Sequence, residues 1–222
     1  MAVNAAKIGM IMFHDRIQAG ILLATKLVKY KNDPGVILAV PRGGVPVAYA
    51  IAMELGLPME IVLTKKIGHP NNKEYAIGAA SLTDYFIEPG EYVSDGYIEE
   101  ELARVRKRLD EMSELFKGGK KPAKLEGKTA IIVDDGIATG RTILETIRVN
   151  RKRNPGKIIV AAPVASDSAV RLIEKEADEV VVISIPAIFY GVGQFYEDFN
   201  EVKDADVISY IAKLMALSKP AN

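Results

Sequence analysis

The chain contains neither cysteine nor tryptophan, and its two histidines are His14 and His69. The absence of cysteine excludes a disulfide, a thiolate zinc site, an iron–sulfur cluster and a cysteine nucleophile. Two histidines are too few for a metal site built from histidine. Any chemistry that the protein performs must therefore come from carboxylates, hydroxyls, basic side chains and backbone groups.

An excess of charge is also missing, because 29 Lys and Arg residues balance 29 Asp and Glu residues. Proteins that bind nucleic acid or anionic membranes usually carry a large excess of basic residues. The balance therefore predicts no nucleic-acid partner. A small and highly charged anion could still be bound, provided that local geometry supplies the hydrogen-bond donors.

Long apolar runs are absent as well, since no stretch of the sequence reaches the ~18 residues that a membrane span needs. Residues 1–16 lack the basic start and the long apolar run of a secretory signal. We therefore expect a cytoplasmic protein with no membrane association. The 222 residues are enough for one domain whose core needs no disulfide or metal to fold.

Five short apolar runs predict the strands of a central sheet. Each run is apolar at consecutive positions, which is typical of parallel strands that are buried on both faces. Helical periodicity lies between most of them, and this alternation predicts right-handed βαβ units. We therefore predict an α/β fold with a doubly wound, mainly parallel five-stranded sheet flanked by helices. The predicted strands are Val36–Val40, Ile61–Thr64, Thr129–Val133, Ile158–Val164 and Val180–Ser184.

Three amphipathic segments fall outside this alternation of strands and helices. Their apolar stripes are expected to pack in the core or between subunits. The segments cover residues 15–30, with Ile17, Ile21, Ala24 and Val28 on one face, residues 98–116 and residues 205–217.

The segment Ile131–Thr142 reads IIVDDGIATGRT and carries the strongest functional signal. A predicted strand ends in Asp134 and Asp135, at the sheet edge where open α/β folds bind ligands. The backbone N–H groups at the start of the following helix, its dipole and the hydroxyls of Thr139 and Thr142 would hold a phosphate. Neighbouring carboxylates can accept hydrogen bonds from vicinal hydroxyls or bind Mg²⁺. The segment therefore predicts a sugar-phosphate site.

This segment resembles the signature for phosphoribosyl pyrophosphate (PRPP) of the type I phosphoribosyltransferases. Residues 40–48, VPRGGVPVA, resemble the pyrophosphate loop of that family, and residues 65–81, KKIGHPNNKEYAIGAAS, resemble its flexible loop. Residues 189–199, FYGVGQFYEDF, are similar to a C-terminal segment of one bacterial and archaeal branch of predicted phosphoribosyltransferases. The order and spacing of these segments agree from about residue 12 to residue 215.

The resemblance implies a role for each of these segments. Asp134 and Asp135 would bind the ribose hydroxyls of PRPP and would hold Mg²⁺ directly, through water or through PRPP. The 5′-phosphate would lie on the residues that follow them, which are Ile137, Ala138, Thr139, Gly140, Arg141 and Thr142. The pyrophosphate would contact Arg42, Gly43 and Gly44, in a loop where the family often has a cis peptide, here Pro41–Arg42.

Lys65 and Lys66 end the second predicted strand on the ligand side of the sheet. We expect Lys65 to act in catalysis by binding the pyrophosphate or the phosphate oxygens that Mg²⁺ bridges. Lys66 is expected to bind substrate in the same place, although a solvent-facing position suits it equally well.

Three segments are expected to modify a single phosphoribosyltransferase-like domain that spans residues 1–222. They are a mobile lid at about 67–77, a helical insertion at about 95–117 and an aromatic hood at about 186–200. His69, Lys73 and Glu74 lie in the lid, and the sequence leaves open whether they act in catalysis. In the hood, Phe189 and Tyr190 are expected to contact a planar base, with closure over the core or a dimer contact as the alternative.

The resemblance implies a Mg²⁺-dependent enzyme that transfers the phosphoribosyl group of PRPP to a nitrogen acceptor and releases pyrophosphate. Enzymes of 6-oxopurine salvage usually carry an aspartate where this chain has Ala138, so adenine, orotate, uracil or another acceptor remains open. A non-catalytic regulator that senses PRPP or a nucleotide is the alternative function. A homodimer is expected, because dimers are common in the family.

Overall fold

The computed structural model describes residues 11–117 and 122–217. The residues on which the prediction about a secretory signal chiefly depends lie outside this part. In chain order the strands are β1 (Gly35–Ala39), β2 (Met59–Ile61), β3 (Lys65–His69), β4 (Asn72–Ala80), β5 (Tyr85–Ile87), β6 (Thr129–Val133), β7 (Lys157–Val164) and β8 (Glu179–Ser184). The α-helices are α1 (Arg16–Leu27), α2 (Gly44–Leu55), α3 (Asp95–Lys117), α4 (Arg141–Arg151), α5 (Asp167–Ile173) and α6 (Asp204–Leu217).

The central sheet has five strands in the order β2-β1-β6-β7-β8, and every neighbouring pair is parallel. This architecture confirms the predicted fold class. Because β1 and β6 lie side by side, the loops that follow them meet at the same edge of the sheet. Val40 continues this contact by donating its N–H to the carbonyl of Val133 at 2.9 Å.

Helices cover both faces of the central sheet. Ile37 of β1 packs in a core cluster with residues of α1, α2 and α3. Its neighbours Val36 and Leu38 point the other way, into a cluster with residues of α4 and α5. Burial of consecutive residues on opposite faces explains why the strands read as continuous apolar runs.

Helix α1 buries only part of the stripe that the sequence predicts, of which Ala24 is 3% exposed. Ile21 and Val28 are 44% and 61% exposed, whereas the neighbouring Gly20 is buried against α2. A Cβ atom at Gly20 would lie 2.6 Å from the carbonyl oxygen of Val47. The two helices pack through small residues because these let the backbones approach closely, and a stripe defined by large apolar residues misses that face.

The prediction of a second strand over Ile61–Thr64, ending in Lys65 and Lys66, is wrong. Strand β2 ends at Ile61, and the two lysines open β3, which belongs to a second sheet. Val62, only 6% exposed, lies in the crossing between the two sheets. A continuous apolar run therefore indicated burial correctly but did not indicate the sheet to which each residue belongs.

The second sheet is antiparallel, has the order β3-β4-β5 and contains the segment that was expected to form a mobile loop. Strands β3 and β4 form a hairpin whose turn is at Pro70 and Asn71. The outer residues of β4 are exposed, and exposed strands share the polar composition of loops. The residues of the predicted lid, about 67–77, form this hairpin, and their mobility stays a prediction.

None of the helices within the described ranges combines the length and the apolar character that crossing a membrane would require.

Candidate active site

The two aspartates of the sequence signature lie directly after β6, at the carboxyl edge of the central sheet. Asp134 accepts a hydrogen bond from the backbone N–H of Asp135 through its own Oδ1, at 2.9 Å. Asp135 accepts one from Arg16 Nε through Oδ2 at 2.8 Å, and the side chains of this pair are only 13% and 12% exposed. One oxygen of each carboxylate is therefore already used within the protein.

The environment of Asp134 opposes its ionised form. Burial, reinforced by the neighbouring charge of Asp135, raises the pKa of Asp134 well above its ordinary range, and the more distant Arg16 counters this only partly. Burial also raises the pKa of Tyr196, so its hydroxyl stays protonated and donates to the backbone carbonyl of Asp135 at 2.6 Å. Tyr196, which belongs to the aromatic segment of residues 189–199, thus contacts the backbone beside the two carboxylates.

The loop after β1 packs directly against this pair of carboxylates. The peptide bond between Pro41 and Arg42 is cis, as the resemblance led us to expect. A Cβ atom at Gly43 would overlap the carboxylate of Asp135. A Cβ atom at Gly44 would lie 2.6 Å from the carbonyl oxygen of Val133, so the close approach of the two loops requires glycine at both positions.

Arg42 itself pairs with two acidic residues near the C-terminal helix α6. Its guanidinium lies 3.5 Å from Glu201 and 3.7 Å from Asp204, and all three side chains are substantially exposed. Exposed ion pairs of this kind contribute little to stability. Arg42 could therefore exchange these partners for an anionic ligand at small cost.

The loop from Ile137 to Gly140 is held at the end of β7. Ile137 donates its N–H to Val164 and accepts from the N–H of Ser166, both at 2.9 Å. The hydroxyl of Ser166 donates to the carbonyl of Ala138 at 2.6 Å. These contacts occupy carbonyl groups of the loop and leave Thr139 exposed beside the start of α4, where a phosphate is predicted to bind.

Arg16 is the residue of this site that sequence reasoning missed. Besides Asp135, it contacts the carbonyl of Asn200, to which its Nη1 donates at 2.8 Å, and the ring of Phe199, whose centroid lies 3.9 Å from its guanidinium carbon. It stands at the start of a helix with no motif around it, and its carboxylate partner is 119 residues away. No local signal in the sequence could have identified it.

Replacement of Arg16 by methionine is expected to lower the free energy of unfolding by about 3 kcal/mol, because it leaves the carboxylate of Asp135 buried without its cation. Urea unfolding measures this effect. Arg171→Met is the matched control, since it breaks an ion pair with Asp167 whose side chains are 75% and 63% exposed. We expect the control to cost about 0.5 kcal/mol or less. Equal losses in the two variants would contradict a structural role for the Arg16–Asp135 pair.

The aromatic segment divides into buried and exposed rings. Phe195 and Tyr196 are buried, and Phe189 packs against Phe195 with ring centroids 5.5 Å apart. Tyr190 is 89% exposed and is therefore the ring most accessible to a ligand. The segment is anchored by Phe13, whose backbone N–H donates to Phe195 and whose carbonyl accepts from Glu197, both at 2.8 Å.

Lys65 and Lys66 belong to a cleft whose lining does not include the two aspartates. The cleft has a volume of about 430 Å³, and Arg141 and Thr142 also line it. The predicted site residues thus form two groups: Gly43, Gly44 and the two aspartates on one side, and the basic cleft on the other.

The carboxylates of the site fit Mg²⁺ in combination with a phosphate ligand. Within the described ranges there is no group of three or more histidine or carboxylate side chains that could hold a metal ion by itself. Mg²⁺ is commonly bound by one or two carboxylates together with substrate phosphates. Asp134 and Asp135, each with one oxygen unused by Arg16 or by the Asp135 N–H, fit that second arrangement.

Comparison with known proteins places the chain beside a family model, curated relatives and a solved structure. Residues 12–200 match the family model described as phosphoribosyl transferase domain. Two Mycobacterium tuberculosis proteins, from strains CDC 1551 and H37Rv, are named provisionally as phosphoribosyl transferases; each is 35% identical over 205 residues, which are 90% of this chain and 46% of theirs. The chain therefore spans about half the length of these curated relatives.

A solved structure covers almost the whole chain. The crystal structure of TT1426 from Thermus thermophilus has a TM-score of 0.84 and 37% sequence identity, and the match covers 92% of this chain and 99% of that one. The fold described above is therefore shared along the length of that protein.

Proposed function

The chain belongs to the phosphoribosyl transferase domain family, and we propose that it transfers the 5-phosphoribosyl group of PRPP to a nitrogen acceptor with release of pyrophosphate. The observation that carries this proposal is the packing of Gly43 and Gly44 against Asp134 and Asp135. That packing supports a ligand whose pyrophosphate and ribose are held by adjacent loops.

In this proposal the ribose hydroxyls of PRPP donate to the free carboxylate oxygens of Asp134 and Asp135. The 5′-phosphate lies against Thr139 and the N-terminus of α4, whose backbone N–H groups and dipole favour an anion. Balanced total charge is no obstacle, because the donors are local.

The reaction breaks the bond between C1 of the ribose and the pyrophosphate oxygen and forms a bond from C1 to the acceptor nitrogen. Positive charge develops on the ribose, as in glycoside cleavage, while negative charge leaves with the pyrophosphate. Arg42, Lys65 and the glycine loop would bind the departing group. Bound Mg²⁺, held by Asp134 and Asp135 together with PRPP, would supply further neutralisation of that charge.

The hairpin β3–β4 would exclude water from the reacting atoms, because hydrolysis of PRPP competes with transfer. The exposed ring of Tyr190 would contact a planar acceptor by stacking. Ala138 offers no carboxylate to a 6-oxopurine, so the proposal leaves adenine, orotate, uracil and less common bases as candidates.

The proposal is tested by measuring pyrophosphate release from PRPP and Mg²⁺ with a panel of bases. We expect turnover with at least one base and none with the Asp134→Asn, Asp135→Asn double variant. Tight PRPP binding without turnover on any base would favour a regulator that senses PRPP. Failure of the wild-type protein to bind PRPP would contradict the proposal.

A further inference from the structure

A cleft of about 430 Å³ lies between the β3–β4 hairpin, helix α3 and the start of α4. Its wall on the side of α3 belongs to none of the motifs in the sequence. That wall consists of Glu101, Arg104, Val105 and Arg108. A cleft of this size lies within the range of small-molecule sites and is larger than one phosphate requires.

The cleft concentrates positive charge in a protein whose total charge is zero. Six basic and three acidic side chains line it, which gives a local net charge of +3. The basic residues are Lys65, Lys66, Lys73, Arg104, Arg108 and Arg141, and the acidic residues are Glu74, Glu101 and Glu145.

Internal ion pairs account for only part of this positive charge. Lys66 pairs with Glu74 at 2.8 Å, and Glu101 is shared between Lys73 at 3.2 Å and Arg104 at 2.5 Å. The single carboxylate of Glu101 thus balances only one of these two positive charges.

Three further cations of the cleft have no such partner. Within residues 11–117 and 122–217, the side chains of Lys65, Arg108 and Arg141 form no ion pair. The carboxyl of Glu145 lines the same cleft, and burial raises its pKa, which disfavours the charge that would oppose an anion.

A second observation comes from a polar atom in the wall of the cleft. The hydroxyl oxygen of Thr64 is buried and has no hydrogen-bond partner among the described residues. Buried polar atoms in folded proteins are nearly always hydrogen-bonded. An oxygen-rich ligand in the cleft would supply the missing partner.

We propose that this cleft binds a polyphosphate group and that Arg104 and Arg108 of α3 are among its ligands. Guanidinium groups bind phosphate oxygens through short, charge-assisted hydrogen bonds. The polyphosphate can come from PRPP, as the leaving pyrophosphate, or from a separate effector such as a nucleotide. The proposal depends on the geometry of the cleft and not on the transfer reaction.

Titration calorimetry with inorganic pyrophosphate, in buffer without divalent cations, tests the site on the full chain. We expect one equivalent to bind and Arg108→Gln to raise the Kd about tenfold, which is the effect of one hydrogen bond to a charged group. Lys107→Gln removes the same charge from the adjacent exposed position of α3, outside the cleft, and is expected to change the Kd less than about twofold. Urea unfolding checks that both variants are folded.

Absence of pyrophosphate binding by the wild-type protein would overturn the proposal, and so would equal effects of the two substitutions. A repeat with Mg²⁺ and saturating PRPP separates the two sources. Loss of pyrophosphate binding identifies the cleft with the leaving group of PRPP, whereas one further bound equivalent identifies a separate effector site. The Asp134→Asn variant should still bind pyrophosphate, and Arg108→Gln should weaken that binding as it does in the wild-type protein, even if PRPP no longer binds. A cleft that does not bind pyrophosphate is therefore distinguished from a failure of the proposed transfer function.

Discussion

The Asp134→Asn variant is expected to bind PRPP about a hundredfold more weakly than the wild-type protein, a loss of roughly 2.8 kcal/mol. A hydrogen bond to an ionised acceptor contributes about 1.5–3 kcal/mol, and this substitution removes the charge that the ribose hydroxyls would meet. Asparagine keeps the shape of the side chain and the Oδ1 atom that accepts the N–H of Asp135 at 2.9 Å. Titration calorimetry with PRPP and Mg²⁺ measures the change.

The dependence of this loss on pH gives a second measurement. Because burial raises the pKa of Asp134, its carboxylate is protonated at a higher pH than an ordinary carboxyl. The PRPP affinity of the wild-type protein should therefore begin to fall above the ordinary carboxyl range as the pH is lowered. The variant lacks this group and should show only the titration of PRPP itself.

The raised pKa of Asp134 also predicts how the Asp134→Asn substitution changes the free energy of unfolding. A carboxyl with a raised pKa in the folded state favours folding when it is protonated, and this contribution is lost as pH rises through the folded pKa. The Asp134→Asn variant should therefore unfold at a urea concentration equal to or higher than that of the wild-type protein at neutral pH. The difference should shrink in acid.

Asp110→Asn is the control for the measurements of PRPP affinity and of urea unfolding, because Asp110 is an exposed carboxylate on α3. Its PRPP affinity should stay within about twofold of the wild-type value, since a distant exposed charge is largely screened by salt. PRPP affinity of Asp134→Asn within the same limit would show that Asp134 is not a ribose ligand.

Substitution of Gly44 by alanine is expected to lower the free energy of unfolding by about 2–3 kcal/mol, the usual cost of an atom forced into a filled space. The new Cβ would lie 2.6 Å from the carbonyl oxygen of Val133 and 2.8 Å from the Cα atom of Asp134. Both neighbours are backbone, so neither can rotate away. Relief requires the two loops to separate, and a displacement of that kind can reduce catalysis by about a hundredfold.

Gly96→Ala is the matched control, because a Cβ atom at Gly96 would meet no atom within 4 Å. Gly96 lies in the first turn of α3, where alanine should leave stability unchanged or raise it by up to about 1 kcal/mol. Urea unfolding of the two variants compares them directly. Similar stabilities would mean that the loops after β1 and β6 are not in close contact.

Gly43→Ala should act in a different way, because its Cβ would overlap the carboxylate of Asp135 rather than backbone. That side chain can rotate away but then loses its hydrogen bond with Arg16. We therefore expect a loss of stability of about 3 kcal/mol, as for Arg16→Met, accompanied by weaker PRPP binding because Asp135 is displaced.

The sequence was informative where local pattern determines structure. Strand β6 has the predicted bounds, Thr129–Val133, because its apolar run begins and ends between polar residues. The carboxyl edge of the sheet was likewise predictable, since parallel strands end on the same side. The failed prediction for β2 and Lys65 shows the limit: burial can be inferred from composition, but pairing depends on the partner strand.

The remaining features of the site depend on contacts between distant parts of the chain. Arg16 meets Asp135 only because α1 and the aromatic segment close over the signature. The basic cleft likewise joins Lys65, Arg108 and Arg141 from three separate elements. The motifs point to Lys65 and Arg141, whereas Arg16 and Arg108 look like ordinary exposed cations along the sequence.

The anchoring of the aromatic segment by Phe13 has a consequence for the order of events during synthesis. Phe13 bonds to the backbone at Phe195 and Glu197, and Asp135 accepts from Arg16 beside the same segment. At about 5–20 residues per second, the ribosome needs roughly 10–40 s to pass from the first of these partners to the last. A nascent chain can form much of its central sheet in that interval, while the candidate site still lacks the aromatic segment. Completion of the candidate site therefore requires that the aromatic segment has emerged from the ribosome.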